Sequence, residues 1–146
     1  MKNVAQLLKL KLKHTAQVHT IGPDQPVLEA VQRMAEHNVG ALPVVADGQV
    51  VGVLSERDYA RKIVLQKRQS STTPVRAIMS APVITVGLAD SLEACMAIMT
   101  DSHLRHLPVV DNGKLVGLLS IGDLVKEAIA EQASLIEQLQ QYIRGE

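Results

Sequence analysis

Apolar and polar residues follow the same order in two consecutive stretches of the chain. Each stretch has a short β-branched segment, then apolar residues at helical spacing, two apolar runs separated by a turn, and a second helical segment. The turns are Asp47-Gly48 and Asn112-Gly113, dipeptides that favour tight β-hairpins. The pattern therefore predicts two units with the element order β-α-β-β-α.

The two stretches are copies of one repeat. When Val18 is placed on Val83, the chain aligns with itself without a gap as far as Asp58 on Asp123. Both copies contain Leu-Pro-Val-Val, a glycine in the turn, a glycine in the following strand and a Ser-x-x-Asp sequence after it. Agreement at so many glycine, proline and aspartate positions indicates an internal duplication.

The duplication predicts five segments. They are an N-terminal arm (1–17), a first unit (18–68), a polar linker (69–74), a second unit (75–130) and a C-terminal helical extension (131–146). The first strand of each unit is predicted at residues 18–21 and 83–86. The second helix of the first unit is expected to end near Arg68, before the linker.

The last helix is predicted from about residue 121 to residue 143. Its apolar positions alternate at spacings of four and three, with Gln132 at one step, along Val125, Ile129, Ile136, Leu139 and Ile143. Such a seam is typical of a helix that packs against a partner, and we predict a homodimer on this basis. An amphipathic helix folded back on its own domain accounts for the spacing equally well.

The N-terminal arm combines Val4, Leu7 and Leu8 with several lysines. A membrane-surface helix has this composition, but a short docking helix with a solvated lysine face is the favoured interpretation. Its lysines interrupt the apolar core that a signal peptide needs, and no apolar run reaches the ~18 residues of a membrane span. A cytoplasmic location is therefore expected.

Composition excludes several function classes. The chain has 146 residues, of which 47% are hydrophobic, and its 15 basic and 15 acidic residues give zero net charge. A folded core is feasible at this length. Zero net charge, two tyrosines and the absence of phenylalanine and tryptophan argue against binding to nucleic acid.

Catalytic and metal-binding motifs are also absent from the sequence. The single cysteine, Cys95, lies within an apolar helical pattern and is interpreted as a core residue. The five histidines, His103 and His106 among them, match no metal-ligand pattern. There is no nucleophile elbow, phosphate-binding loop or dinucleotide glycine motif. We therefore expect neither an enzyme nor a metal site.

The feature with chemical content is the strand that ends in Ser-x-x-Asp, at Ser55–Asp58 and again at Ser120–Asp123. Free N–H groups at a helix start favour an anion, and a carboxylate there can accept two hydrogen bonds from a diol such as ribose. The alternative is a capping box, which uses the same residues. A ligand is favoured by the glycine in each preceding strand, by aspartate in place of the longer glutamate, and by a threonine on each first strand.

The combined pattern, over residues 18–124, resembles the CBS (cystathionine β-synthase) domain, and the tandem resembles a CBS pair, or Bateman module, of the small stand-alone prokaryotic type. The resemblance implies an α/β (α+β) fold in which two β-α-β-β-α units pack sheet to sheet about a pseudo-twofold axis. It also implies up to two adenosine ligands, such as AMP, ADP, ATP, NAD or S-adenosylmethionine, in the cleft between the units.

The resemblance assigns roles to residues. The family's ribose-binding aspartate maps onto Asp58 and Asp123, its serine or threonine onto the preceding Ser-x-x-Asp serines, and its base-contacting strand onto the two first strands. The turn beside the ligand maps onto residues 39–41 and 104–106, where some members carry His-Arg. This chain has the reverse order, Arg105-His106, in the second copy and Gly40-Ala41 in the first. The expected nucleotide-binding residues are Thr20, Val39, Gly40, Ala41, Ser55, Arg57, Asp58, Thr85, Arg105, His106, Ser120 and Asp123.

We therefore predict a non-enzymatic, adenine-nucleotide-binding regulator of an unidentified protein. The alternative is an interaction or structural protein with a vestigial ligand site. The two sites are expected to differ, because Arg57 can clamp a phosphate where the second copy has Gly122. Residues 105–106 are expected to reach the phosphates of the same nucleotide, so the Asp58 site should favour phosphorylated ligands and the Asp123 site less charged ones.

Overall fold

The computed structural model of the protein describes residues 2–12 and 18–145. Each copy of the repeat contains a helix, a two-stranded antiparallel hairpin and a second helix. The helices and strands are α1 (Val4–Leu12), α2 (Val27–His37), β1 (Ala41–Ala46), β2 (Gln49–Ser55), α3 (Glu56–Tyr59), α4 (Leu92–Ser102), β3 (His106–Asp111), β4 (Lys114–Ser120) and α5 (Ile121–Arg144). A π-helical turn (Ala60–Val64) continues α3, and a 3-10 turn (Val75–Ala77) follows the linker.

The described residues form two compact units. The Asp58 unit contains residues 18–85 and 108–118, and the Asp123 unit contains residues 2–12, 86–107 and 119–145. Residues 75–85 therefore belong with the first copy of the repeat, and α1 belongs with the second. The limits 18–68 and 75–130 describe the sequence repeat rather than these compact units.

Both predicted hairpins form, with the turns that their sequences favour. Asp47 and Gly48 have φ values of 51° and 79°, and Asn112 and Gly113 have values of 50° and 78°. Positive φ at both central residues is the requirement of a type I′ turn, whose twist matches that of the strands. The backbone shape at these four positions was thus predictable from the dipeptides alone.

In the Asp58 unit, α2 packs through the apolar face that its spacing predicts. Val27, Ala30 and Met34 are at most 2% exposed, and the helix ends at Asn38 in the left-handed conformation. The rest of this core is built from the hairpin and from segments before and after it: Ile21, Leu42, Val44, Leu54, Ile63, Val75 and Ile78.

The predicted first strands are shorter than expected. Ile21 alone pairs with β1, donating its N–H to the carbonyl of Pro43 at 3.1 Å and accepting from the N–H of Val45 at 2.9 Å. The turn that begins at Gly22-Pro23 ends the pairing, since proline has no N–H to donate. In residues 83–86, Val86 is the one residue that forms a β-bridge.

The helix after β2 also differs from its prediction. It changes to π-helical hydrogen bonding at Ala60, where the carbonyl accepts from the N–H of Leu65 at 3.1 Å. Lys67 then adopts the left-handed conformation, which ends the segment before Arg68. Ile63 is its buried residue, and Tyr59 packs, partly buried, against the same core, so both side chains anchor this short helix.

In the Asp123 unit, α4 and α1 supply most of the buried residues. Cys95 is fully buried on α4, as predicted for a core residue, and burial raises the pKa of its thiol. Val4, Leu7 and Leu8 of α1 are 0–6% exposed. The apolar face of the N-terminal arm is therefore covered by its own chain, which supports the docking-helix interpretation.

The helix α5 runs from Ile121 to Arg144, close to its predicted limits. Leu124 is its buried residue, and most of its apolar side chains are exposed: Ile121, Val125, Ile129, Leu135, Ile136, Leu139, Tyr142 and Ile143. Within residues 2–12 and 18–145, no helix is long and apolar enough to cross a membrane.

Candidate functional site

The start of α3 is held by a reciprocal cap between Ser55 and Asp58. The Ser55 hydroxyl accepts from the Asp58 N–H at 3.1 Å, and the Ser55 N–H donates to Asp58 Oδ2 at 3.0 Å. The same hydroxyl donates to Oδ2 at 3.0 Å. The capping box is therefore formed, although aspartate is shorter than the glutamate usual at this position.

The second oxygen of Asp58 has weaker contacts. Oδ1 lies 3.4 Å from Lys62 Nζ and 3.4 Å from the Ser80 hydroxyl, and the Lys62 ammonium donates to the carbonyl of Ile78 at 2.9 Å. Distances of 3.4 Å exceed those of strong hydrogen bonds to a carboxylate. Oδ1 thus retains acceptor capacity for a ligand.

The glycine in β2 has an internal explanation. A Cβ at Gly52 would lie 2.7 Å from Met79 Sδ and 2.9 Å from the Ser80 carbonyl oxygen. Val53 and Ser80 pair in both directions, with N–H to O distances of 3.2 and 2.9 Å. In the first copy, the close approach that the sequence suggested is therefore made by the chain itself, and this glycine no longer favours a ligand.

The start of α5 repeats the cap. The Ser120 hydroxyl accepts from the Asp123 N–H at 3.1 Å, and the Ser120 N–H donates to Asp123 Oδ2 at 2.8 Å. Lys11 of α1 adds a third contact, because its ammonium donates to the same Oδ2 at 2.8 Å. Each side chain of this ion pair is 29% exposed. Burial raises the pKa of Asp123, but the bonds from Lys11 and Ser120 outweigh it, and the net pKa is below the ordinary value of 3.8.

Within each copy, the turn before the hairpin touches the helix start. The carbonyl of Gly40 accepts from the N–H of Glu56 at 3.0 Å, and the carbonyl of Arg105 accepts from the N–H of Ile121 at 2.8 Å. The structure thus brings residue 40 next to the Ser55–Asp58 cap and residue 105 next to the Ser120–Asp123 cap. The backbone of residue 105 lies beside the cap of its own copy, whereas residues 105–106 were expected to reach the nucleotide held by Asp58, and that expectation stays a prediction.

The other expected site residues lie near the same elements. Ala41 is buried and pairs with Ser55 in the β1–β2 register. Arg57 is exposed in the first turn of α3. Arg105 is exposed immediately before β3, and His106, the first residue of that strand, is partly buried. Three expected site residues remain. The carbonyl of Thr20 accepts a hydrogen bond from Arg33, and the N–H of Val39 donates to the carbonyl of Met34. Thr85 is exposed.

Three side chains at the two carboxylates were missed in the sequence. Lys62 is four residues after Asp58, so helical spacing could have indicated it. Ser80 and Lys11 come from segments whose docking no local pattern shows. The lysines of α1 were interpreted as a solvated face, and for Lys11 that interpretation is wrong.

A pair of histidines lies on the Asp58 unit. The rings of His19 and His37 stack with their centroids 3.5 Å apart and their planes 9° from parallel. Loss of solvation and the nearby His37 and Arg33 lower the pKa of His19 from 6.5. Among residues 2–12 and 18–145, no group of three or more histidine, cysteine, aspartate or glutamate side chains is arranged to hold a metal ion.

Comparison with known proteins identifies the duplicated unit. The CBS domain family model matches residues 10–65 and 75–130. The chain belongs to the CBS-domain family. It is a tandem CBS pair, as its sequence resemblance implied, and the match covers both Ser-x-x-Asp junctions.

Solved structures and curated relatives that resemble this chain are also CBS-domain proteins. A CBS-domain protein from Burkholderia ambifaria, classed with signal transduction, is 49% identical, with a TM-score of 0.83 over 90% of this chain and 96% of its own. The AMP complex of CBSX2 is 25% identical, with a TM-score of 0.71 over 89% of this chain and 98% of its own. The mitochondrial protein CBSX3 of Arabidopsis thaliana is 40% identical over 84% of this chain, which spans 62% of that protein.

Proposed function

We propose that this CBS pair is a non-enzymatic regulatory protein that binds an adenosine compound through Asp58 and Asp123. The observation that carries the proposal is the duplicated cap. In each copy Oδ2 closes the capping box, and in the first copy Oδ1 has contacts of 3.4 Å to Lys62 and Ser80 that leave it able to accept a further donor. A ribose diol supplies the O–H donors that such an oxygen accepts.

The neighbouring groups support the same ligand class. Each carboxylate lies at a helix start, and residues 40 and 105, which the family resemblance places beside the ligand, contact these helix starts. CBSX2, a solved structure with the same fold, binds AMP. AMP, ADP, ATP and NAD are the ligands we propose, with phosphates near Arg57 and a preference of the Asp58 site for phosphorylated compounds.

A thermal-shift and calorimetry screen with adenosine, AMP, ADP, ATP, NAD and S-adenosylmethionine tests the proposal. A ligand at 100 times its dissociation constant should add ~2.7 kcal/mol of apparent stability. The matched control is Asp101→Asn, which removes an exposed carboxylate of α4 that belongs to neither cap, and it should leave binding unchanged. The absence of any response to the six compounds would contradict the proposal.

A second candidate function is an interaction protein with a vestigial ligand site. It is favoured by one observation: both carboxylates already have partners within the protein, Asp58 in Ser55 and Asp123 in Ser120 and Lys11. The same screen separates the two candidates, because a vestigial site predicts stability without a ligand response.

For either function we propose a homodimer that forms through α5. Ile129, Ile136 and Ile143 are 62%, 55% and 81% exposed at a seven-residue spacing, with Leu139 (53% exposed) between the last two. A second copy presents the same seam, so the surface is complementary to itself. Sedimentation at tens of micromolar should show a dimer, and removal of residues 133–146 should yield a monomer. A monomeric full-length chain would contradict this proposal.

A further inference from the structure

The ammonium of Lys11 lies on the carboxylate that we assign to ribose binding in the second copy. Its distance to Asp123 Oδ2 is 2.8 Å, and both side chains are mostly buried. Oδ2 also accepts the Ser120 N–H at 2.8 Å. Because a carboxylate oxygen has two lone pairs, these two donors occupy the hydrogen-bonding capacity of Oδ2.

The helix that carries Lys11 is firmly docked on the same unit. The N–H groups of Val4 and Ala5 donate to the carbonyls of Asp90 and Leu88 at 2.9 and 3.0 Å, and Lys2 forms an ion pair with Glu127. Val4 is fully buried. Lys11 thus extends from a fixed helix rather than from a loose arm, so its ammonium is delivered to Asp123 at a high effective concentration.

An ammonium and a ribose diol present the same chemistry to the carboxylate, since both donate hydrogen bonds to it. A diol that donates one hydrogen bond to each carboxylate oxygen needs a free lone pair on Oδ2 as well as on Oδ1. The Ser120 N–H is part of the helix cap and stays in place, so Lys11 is the donor that can leave.

We propose that Lys11 is an internal competitor at the Asp123 site, and that an adenosine ligand binds there by displacing its ammonium from the carboxylate. The inference rests on the proposed function, because it names the regulation of that same site. Displacement frees the last turn of α1 from α5, and by linkage any partner that holds α1 in place weakens the ligand at Asp123.

In the first copy the second donor to Oδ2 is the neutral hydroxyl of Ser55, at 3.0 Å, and not an ammonium from another helix. The groups that approach Asp58 from elsewhere, Lys62 and Ser80, remain 3.4 Å from Oδ1, and Lys62 donates its closer bond to a carbonyl. Occupation by Lys11 therefore weakens the Asp123 site selectively, by a mechanism that does not depend on phosphate contacts.

The test compares Lys11→Met with Lys9→Met in the full chain that carries Asp58→Asn, so that the Asp123 site alone is titrated. Methionine keeps the apolar stem and removes the ammonium, and Lys9 is an exposed lysine on the same helix. Adenosine is the probe, because it has the diol and no phosphate. Calorimetry should show that Lys11→Met tightens adenosine binding by roughly threefold to tenfold, while Lys9→Met has no effect.

A second measurement follows the helix itself. Hydrogen exchange in the last turn of α1 should increase when adenosine binds the chain with Lys11, and should be insensitive to adenosine in Lys11→Met. Unchanged or weaker adenosine binding in Lys11→Met overturns the inference and leaves the proposed function intact; weaker AMP binding alone would make Lys11 a phosphate contact. If neither variant nor the parent binds adenosine or AMP, the proposed function fails at this site and the inference fails with it.

Discussion

The starts of α3 and α5 carry the same four-residue pattern and form the same cap, but the carboxylates have different neighbours. Both serine hydroxyls accept an N–H at 3.1 Å from the aspartate three residues later. At Asp58 the additional donors are Lys62, one turn further along the helix, and Ser80, both at 3.4 Å. At Asp123 the additional donor is Lys11, at 2.8 Å and from a helix far away in sequence.

The difference comes from the segments that complete each copy. In the first copy, Val27 donates its N–H to the carbonyl of Thr73 at 2.9 Å, and Val75 donates to the carbonyl of Gln25 at 2.9 Å. Ser80 comes after this docked segment in the chain, and its hydroxyl contacts Asp58 Oδ1.

The second copy is completed in the same way by the N-terminal arm. Leu92 donates its N–H to the carbonyl of Lys2 at 3.1 Å, and Val4 donates to the carbonyl of Asp90 at 2.9 Å. The N-terminal arm therefore packs on the second copy at the position that residues 73–75 occupy on the first copy. As a result, Lys11 of α1 contacts Asp123, whereas Ser80 contacts Asp58. A duplicated motif preserves the cap, whereas unrelated flanking segments make the two sites unequal.

The largest expected effect is a loss of nucleotide affinity, and it tests whether the two aspartates contact a ligand or serve only as helix caps. Asp58→Ala and Asp123→Ala would each remove the proposed charge-assisted bond to ribose, and each should weaken nucleotide binding by about 1.5–3 kcal/mol. A purely structural cap predicts instead a loss of about 0.5–2 kcal/mol in stability with unchanged affinity. Affinity by calorimetry and melting temperature, measured on the same variants, decide between these outcomes.

The second prediction tests whether the glycine of β2 serves packing. Gly52→Ala would place a methyl group 2.7 Å from Met79 Sδ and 2.9 Å from a backbone oxygen, which should destabilise the Asp58 unit by about 1–3 kcal/mol. Urea denaturation measures the change. Gly40→Ala is the matched control, because the nearest atom to its added Cβ lies at 3.7 Å. Equal stability of the two variants would contradict the packing explanation.

The structural features that could be predicted from the sequence are those that depend on residues close together in the chain. The turn at Asp47-Gly48, the cap between Ser55 and Asp58 and the extent of α5 follow from spacings of one to four residues and from dipeptide chemistry. The positions of Lys11 and Met79 depend on how distant segments dock, which a hydrophobic pattern does not specify. The same limit explains why a predicted first strand became a single bridge at Ile21.

The third prediction concerns acid stability at the second carboxylate. Because the pKa of folded Asp123 lies below 3.8, its ionised form stabilises the fold above that pH, and this contribution is lost as the pH falls through the folded pKa. Lys11→Met should remove the part due to the ion pair, about 0.2–1 kcal/mol. The gap in unfolding free energy between wild type and Lys11→Met should therefore narrow below pH 4. A gap that is constant from pH 7 to pH 3 would show that the ammonium does not stabilise the ionised carboxylate.

The smallest expected effect is a pH dependence of stability that comes from the Asp58 unit, because the stacked pair of His19 and His37 belongs to that unit. Desolvation, His37 and Arg33 lower the pKa of His19 from 6.5, so between 6.5 and the folded pKa the unfolded chain binds more protons than the folded chain. The free energy of unfolding is therefore not reduced by His19 above pH 6.5, and it decreases as the pH falls from 6.5 toward the folded pKa of His19. Carboxylates are still largely ionised in this range, so the decrease reports on the histidine. His19→Gln should flatten the decrease in melting temperature between pH 6.5 and pH 5. A titration of the histidine ring protons by NMR provides the direct check, and a His19 midpoint at or above 6.5 would contradict the prediction.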